Sequence, residues 1–352
     1  MNNLSLTRQD TSVMKGIAIC AMLCHHLYSF PPEGVEPYTS VFAWIGELGK
    51  VCVALFLFCS GYGLSVGYRN MTGIKSAVLF IRNRLVKFYT NYWVVLLIVI
   101  PIGVFVLGRT SSVAYAGMNV PKRMLFEILA INGGCSYVQT WWFNQLIITF
   151  YLIFPLLNAM VKRIPIVTMI LSILYLLLGD RYSFGIIELN VWQCPFVLGI
   201  LWSAIEGYTA NISTFLTNYK YVSVLLSILF VMACVLIRMK PIIPGYSDIK
   251  ADSMFVISMA FFVIISLRQS DKVMRIFAFL GKHSMNIYLI HPIFTGYWNP
   301  KWLHGCEYMR GGGNFVILMI ICLTLSMLIE YLKDITKFNE LVQNKLIKKI
   351  TI

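Results

Sequence analysis

Two ionisable residues lie on one apolar stretch near the start of the chain, Lys15 and His26, in Lys15-Gly16-Ile17-Ala18-Ile19-Cys20-Ala21-Met22-Leu23-Cys24-His25-His26. They are eleven positions apart, which on an α-helix returns to within about 20° of the same face, about 16 Å further along the axis. His25 points roughly 80–100° away from that line. A neutral imidazole can take the proton of a hydroxyl as it attacks a thioester carbonyl, because histidine titrates near neutral pH. An ammonium at the other end can hold the phosphates of a soluble donor as a point charge. A plainer account fits the same periodicity: Lys15 snorkels to lipid headgroups and the two histidines cap a helix at the opposite interface. Spacing alone leaves both open.

The elements that must carry these residues are set by composition. Of 352 residues, 58% are hydrophobic and only 12% charged, with a mean hydropathy of +0.74. A water-soluble domain needs about a quarter of its residues charged to cover its surface. A bilayer removes that need, and a hydrocarbon core about 30 Å thick takes about 20 apolar residues per helix. Such stretches lie near 12–30, 48–68, 89–107, 141–161, 164–179, 189–206, 221–237, 251–267, 277–298 and 314–332. The expected fold is all-α, a polytopic transmembrane bundle of about ten helices. The run Met124–Ile131 is too short to cross, so it reads as an interfacial or re-entrant piece, or as the start of a longer fourth helix. Gly16, Ala18 and Ala21 are small enough to let a neighbouring helix approach the first span closely.

Lys and Arg are retained on the cytoplasmic side. With both termini inside, the inner segments hold about twice as many of them as the outer loops, where Arg181, Lys240, Lys301 and Arg310 fall. Residues 1–335 read as one membrane domain, and 336–352, with Lys345, Lys348 and Lys349, as a short basic cytoplasmic tail. The net charge of +14 is spread over several loops, which fits anionic headgroups and argues against nucleic acid as a partner. The nine cysteines are scattered without a C-x-x-C pair, so neither a disulfide framework nor a zinc site is expected. The first span ends in His25-His26 and Pro31-Pro32 without a small-residue cleavage site, unlike a signal peptide.

Ionisable groups inside a span are costly and mark cavities, and here the sequence resembles a family. Lys15–His26 resembles the first helix of the membrane-bound acyltransferase 3 family, in which ten residues separate a basic residue, usually Arg, from a functional His. Leu55–Tyr62, ending Ser60-Gly61-Tyr62, resembles its apolar run ending in Ser-Gly-Tyr or Ser-Gly-Phe. Ile81–Tyr89 is similar to the basic cytoplasmic loop that follows. Trp141-Trp142-Phe143 through Pro155 resembles its Trp-Phe…Tyr-Leu…Pro helix, Phe196–Gly199 its Phe-x-x-Gly helix, and Leu280–His291 its late Gly-x-x-Ser…Tyr-Leu-x-His segment. The order and spacing hold over roughly residues 12–330.

The resemblance implies transfer of an acyl group, ordinarily acetyl from acetyl-CoA in the cytoplasm, to a hydroxyl of a cell-surface glycan or lipid-linked sugar, with acetyl-CoA as co-substrate and no bound cofactor. It implies His26 as the catalytic base and Lys15, Arg82, Arg84 and Lys87 as grips on the donor's phosphates. Ser60, Tyr62, Tyr288 and His291 would line the substrate cavity. The setting would be a plasma membrane, the bacterial inner membrane, with lipids as neighbours. Two departures stand out. Lys15 replaces the usual planar guanidinium. Asn144, Gln145 and Thr149 stand where many relatives carry acids, which leaves Glu47 and Glu188 to orient the histidine, if any acid does.

Simpler readings sit beside these. Arg82, Arg84 and Lys87 satisfy the positive-inside rule without any donor. Trp141 and Trp142 read as an interfacial aromatic belt. His291-Pro292 can simply end a helix, and Ser60-Gly61-Tyr62 can be close helix packing. A transporter or flippase of a lipid-linked sugar, and then a glycan polymerase, are the alternative functions. No internal repeat supports the first, and the modest, weakly basic outer loops do not favour the second.

Overall fold

The computed structural model describes residues 4–31, 36–179, 184–208, 216, 218–239, 248–295, 303 and 311–342. Arg181, Lys240, Lys301, Arg310, Lys345, Lys348, Lys349 and Pro32 lie outside the described residues, as does the end of the expected ninth span. All regular elements among the described residues are helical. They are α1 (Arg8–Tyr28), α2 (Ser40–Gly49), α3 (Cys52–Gly67), α4 (Gly73–Pro101), α5 (Ser111–Ala114), α6 (Val120–Ile128), α7 (Trp142–Arg163), α8 (Pro165–Leu178), α9 (Leu189–Ile205), α10 (Lys220–Met239), α11 (Asp252–Ile265), α12 (Asp271–Lys282), α13 (Ser284–Ile290), α14 (Gly312–Ile335) and α15 (Phe338–Val342).

Among the described residues, six segments are long and apolar enough to cross a membrane: Val41–Gly67, Gly73–Val106, Gln139–Arg163, Lys220–Met239, Ile249–Gln269 and Gly312–Ile335. The protein is therefore a multi-pass membrane protein. α1 has the length, but Lys15, His25 and His26 lower its apolarity. α8 and α9 are shorter, at 14 and 17 residues.

Three expectations need correction. Arg82, Arg84 and Lys87 do not lie in a loop; they ride on α4, which begins at Gly73. Basic residues depress mean hydropathy but are good helix formers, so the helix runs on beyond its apolar stretch. Residues 277–298 are not one helix, because the α-helical pattern is interrupted at His283 and gives way to a 3-10 turn at His291–Ile293, where Pro292 lacks an N–H. The run Met124–Ile131 does not start the fourth span: α6 closes by Leu129, and two 3-10 turns follow before α7.

The chain divides into two units. The first comprises Met1–His25, Ile45–Asn70 and Ile153–Ser284. In it α3 packs closely on α9, where Gly61 meets the Phe196 carbonyl and Gly199 meets the Phe58 carbonyl. A Cβ on either glycine would come within 2.2 Å of the opposing oxygen. α1 and α12 meet in the same manner through Gly16 and Gly281. Small residues let backbones touch where lipid supplies no hydrophobic drive. Asn158 Oδ1 accepts from the Ser65 hydroxyl at 2.9 Å, and the Ser203 hydroxyl donates to Ser65. Arg238 and Asp252, 1% and 0% exposed, pair at 2.7 Å between α10 and α11.

The second unit comprises His26–Trp44, Met71–Leu152 and Met285–Ile352. Within it a ring of side chains ties α4, α13 and α14. Asn91 donates to Asn286 Oδ1 at 3.1 Å, and Asn286 donates to Glu330 at 2.8 Å. Lys333 closes the ring on Glu330 and on Asn91 Oδ1. Lys333 is buried near the end of α14, and this ring satisfies its ammonium. A second knot organises residues 107–141 around Glu127. That carboxylate, 2% exposed, accepts from the Tyr137 N–H at 2.7 Å, the Asn132 amide at 2.9 Å and the Tyr115 hydroxyl at 3.0 Å. The Tyr92 hydroxyl donates to the Glu127 carbonyl at 2.7 Å. Burial pushes the Glu127 carboxyl above the usual carboxylate range, against the pull of its donors.

Candidate active site

Among the sequence-derived candidates, the second unit brings His26 and His291 together. Their ring centroids are 4.9 Å apart, inclined at 41°. His26, half-buried near the end of α1, also stacks on Phe30 at 5.8 Å. Two residues on, the Tyr28 hydroxyl donates to the Gly311 carbonyl at 2.8 Å, and its ring packs on Tyr38 and Phe42. The end of α1 is thereby pinned. His291 is fully buried, at 0% exposure, in the 3-10 turn after α13, the helix that the Asn286 bonds hold in place.

The chemistry of His291 follows from its backbone partners. Its Nδ1 lies 2.7 Å from the Tyr288 carbonyl and 3.2 Å from that of Ile287. A carbonyl oxygen only accepts, so Nδ1 carries the proton and the neutral ring offers Nε2 as an acceptor. A backbone bond of this kind fixes both tautomer and ring orientation. His26 thus sits beside an imidazole whose proton is already assigned.

Tyr288 joins this group. Its ring lies 6.4 Å from that of His291 and 5.7 Å from Phe143, and its hydroxyl donates to the Thr140 carbonyl at 2.9 Å. Trp141 does not belong to an aromatic belt. It is 1% exposed, its indole N–H reaches the Leu289 carbonyl at 3.2 Å, and its ring packs on Tyr92. The indole finds a carbonyl partner inside the protein, and that wins over an interfacial position. Trp142 is half-buried against Phe143.

Also in this unit, Arg82 and Lys87 are exposed on α4, whereas Arg84 is half-buried with its guanidinium 5.0 Å from the Phe80 ring. Arg82 borders an apolar groove along α4 with Val78, Ile81, Leu85, Tyr89 and Trp93.

The first unit holds the remaining candidates. Lys15 is half-buried and close enough to the Cys59 thiol to act on it electrostatically. Ser60 is half-buried on α3. The Tyr62 hydroxyl accepts the Leu6 N–H at 3.1 Å and lies 2.7 Å from the Leu6 carbonyl and 2.8 Å from Glu206 Oε2. Arg69 completes that cluster on Glu206 at 2.6 Å. Tyr62 is thus occupied in tying down the N-terminal segment. His25 points Nδ1 at the Gly46 carbonyl, 2.8 Å away, and has Glu47 as an electrostatic neighbour. Glu188 pairs with Lys50 at 3.2 Å and accepts the Trp192 N–H at 3.0 Å. Both acids proposed as substitutes therefore lie in the unit of His25.

The Asn91–Asn286–Glu330–Lys333 ring and the Glu127 knot were missed from sequence. The signal available for the ring was polar residues within apolar helices, the same rule that singled out His26. Among the described residues no group of three His, Cys, Asp or Glu side chains could hold a metal ion.

A family model described as an acyltransferase domain matches residues 10–331. The chain belongs to this acyltransferase 3 family, and it is a membrane acyltransferase. The comparisons with curated proteins and with solved structures find no match.

Proposed function

We propose that the chain moves an acyl group, acetyl in the simplest case, from acyl-CoA at the cytoplasmic face to a hydroxyl of a cell-surface or lipid-linked glycan. The observation that carries this reading is the contact of His26 with a fully buried histidine of fixed tautomer, 4.9 Å away. His26 is the general base. It takes the hydroxyl proton as the oxygen attacks the thioester carbonyl; the tetrahedral carbon then expels the sulfur, and the departing thiolate takes up a proton. His291 and Tyr288 border the reacting groups. Ser60 and Tyr62 form the part of the substrate lining that α3 supplies. Lys15, Arg82, Arg84 and Lys87 serve the donor's phosphates as charges.

The six apolar segments, with α1, α8, α9 and the segment 271–293, support about ten passages through the membrane. An even number is consistent with both termini in the cytoplasm, and the basic bias of the inner segments favours that orientation. A bacterial plasma membrane is the proposed setting.

The test is to incubate membranes carrying the protein with labelled acetyl-CoA and to measure label in the glycan fraction. Incorporation above that of membranes lacking the protein supports the reading. Absence of label, together with movement of a lipid-linked sugar across the same vesicles, would point to a transporter.

A further inference from the structure

We propose that Asn144 and Thr140 form a subsite for the sugar acceptor, a class of ligand that offers donors and acceptors side by side. Asn144 is 1% exposed, and among the described residues neither its amide nitrogen nor its amide oxygen has a hydrogen-bond partner. Because both ends are unmade, turning the amide over cannot repair it. The Thr140 hydroxyl oxygen is buried in the same condition. Buried polar groups are otherwise nearly always bonded, and an exception calls for a cause.

Position supplies the cause. Asn144 stands three residues after Trp141, on the same side of the chain as it enters α7. The Trp141 indole bonds the Leu289 carbonyl at 3.2 Å, and Tyr288 bonds the Thr140 carbonyl at 2.9 Å. Phe143 meets the Tyr288 ring at 5.7 Å. This end of α7 is thus held against the turn that carries His291, whose ring meets that of His26. The unmade polar atoms lie at the end of the unit where the reaction is proposed.

The chemistry of the two side chains selects the ligand. A carboxamide offers two N–H donors and a carbonyl acceptor, and a threonine hydroxyl can do both. A phosphate or a thioester carbonyl only accepts, and would leave the Asn144 oxygen without a donor. An acyl chain would leave every one of these atoms unmade. Neighbouring hydroxyls of a sugar ring donate and accept, and satisfy both residues at once. A site built to bond hydroxyls also rejects a ligand lacking them, so this subsite would set acceptor specificity. The assignment rests on the acyl-transfer reading above.

The test is Asn144→Leu, which keeps the branched outline and the number of heavy atoms but has no hydrogen-bonding group, with Thr140→Val, closely matched in shape, as a second variant. Transfer from labelled acetyl-CoA to endogenous glycan is measured in membranes, and thermal unfolding in detergent. The expected result is unfolding at or above the wild-type temperature with incorporation at least tenfold lower for Asn144→Leu, and the same split in smaller measure for Thr140→Val. Unfolding below wild type would mean that the amide is held by the fold itself, and incorporation within twofold of wild type would mean that no acceptor touches it; either overturns the proposal. If wild type incorporates no label, the acyl-transfer reading fails separately. In that case N-acetylglucosamine should still raise the unfolding temperature of wild type more than that of Asn144→Leu, and an equal shift overturns the subsite.

Discussion

Glu127 and Asn144 are buried to the same degree in the same unit, at 2% and 1% exposure, and their surroundings are opposite. Around Glu127 an amide, a backbone N–H and tyrosine hydroxyls converge, so the carboxylate is spoken for. Around Asn144, among the described residues, no hydrogen-bonding group meets the amide. A closed polar knot stiffens a scaffold, because removing any member strands the others. An open one costs stability and persists where something else completes it. His291 stands between these cases, with its Nδ1 fixed by the backbone. The difference separates residues that build the protein from residues that use it.

Breaking this separation should give graded effects. The largest is at His26: removing a general base lowers transfer by roughly 10²–10⁴-fold, while His26→Ala still inserts in the membrane because the change removes no apolar span. Next is His291→Leu, which takes away the ring beside His26 and leaves its neighbour free to reorient. Transfer should fall on the order of 10²-fold, with donor KM unaltered; a change in KM alone would assign His291 to binding instead. The opposite signature belongs to Glu127→Ala. It strands several buried donors at a cost of about 3 kcal/mol, which should appear as a lower unfolding temperature and faster proteolysis within residues 107–141.

A smaller effect sharpens the Glu127 side. Its carboxyl is raised by burial, so the folded chain keeps this proton at pH values where the unfolded chain has lost it. The stability it contributes is full below the unfolded value of about 4.3 and declines as pH rises through the window up to the raised native value. Proteolysis of residues 107–141 should therefore quicken across that window in wild type and stay level in Glu127→Gln. A level wild-type profile would remove the raised carboxyl from the account. The smallest effect is at Lys15, where Lys15→Arg should preserve transfer and Lys15→Ala should raise the donor concentration needed by a few-fold.

Much of the scaffold was legible because apolar runs announce helices. The expected 221–237 appears as Lys220–Met239, 164–179 as Pro165–Leu178 and 314–332 as Gly312–Ile335. Legibility failed where charge or proline competes with that signal. The first half of α4 was hidden by its own basic residues, and the break before Pro292 by the apolar stretch around it. His26 could be singled out because an imidazole in an apolar helix demands a reason. Its pairing with His291, far along the chain, leaves no periodic trace. Trp141 was misread because a tryptophan at the end of an apolar span looks the same whether it faces headgroups or a neighbouring carbonyl. Glu127 was not singled out within the short run Met124–Ile131, because only the folded loop reveals its donors.

The central claim is that His26, and not the adjacent His25, does the chemistry, since His25 is bonded to the Gly46 carbonyl while His26 meets His291. The most direct test is to compare label incorporation from acetyl-CoA into glycan by His25→Ala and His26→Ala membranes carrying equal amounts of protein. The account predicts background incorporation for His26→Ala and a substantial fraction of wild-type activity for His25→Ala. Equal activities in the two variants, or loss confined to His25→Ala, would contradict it.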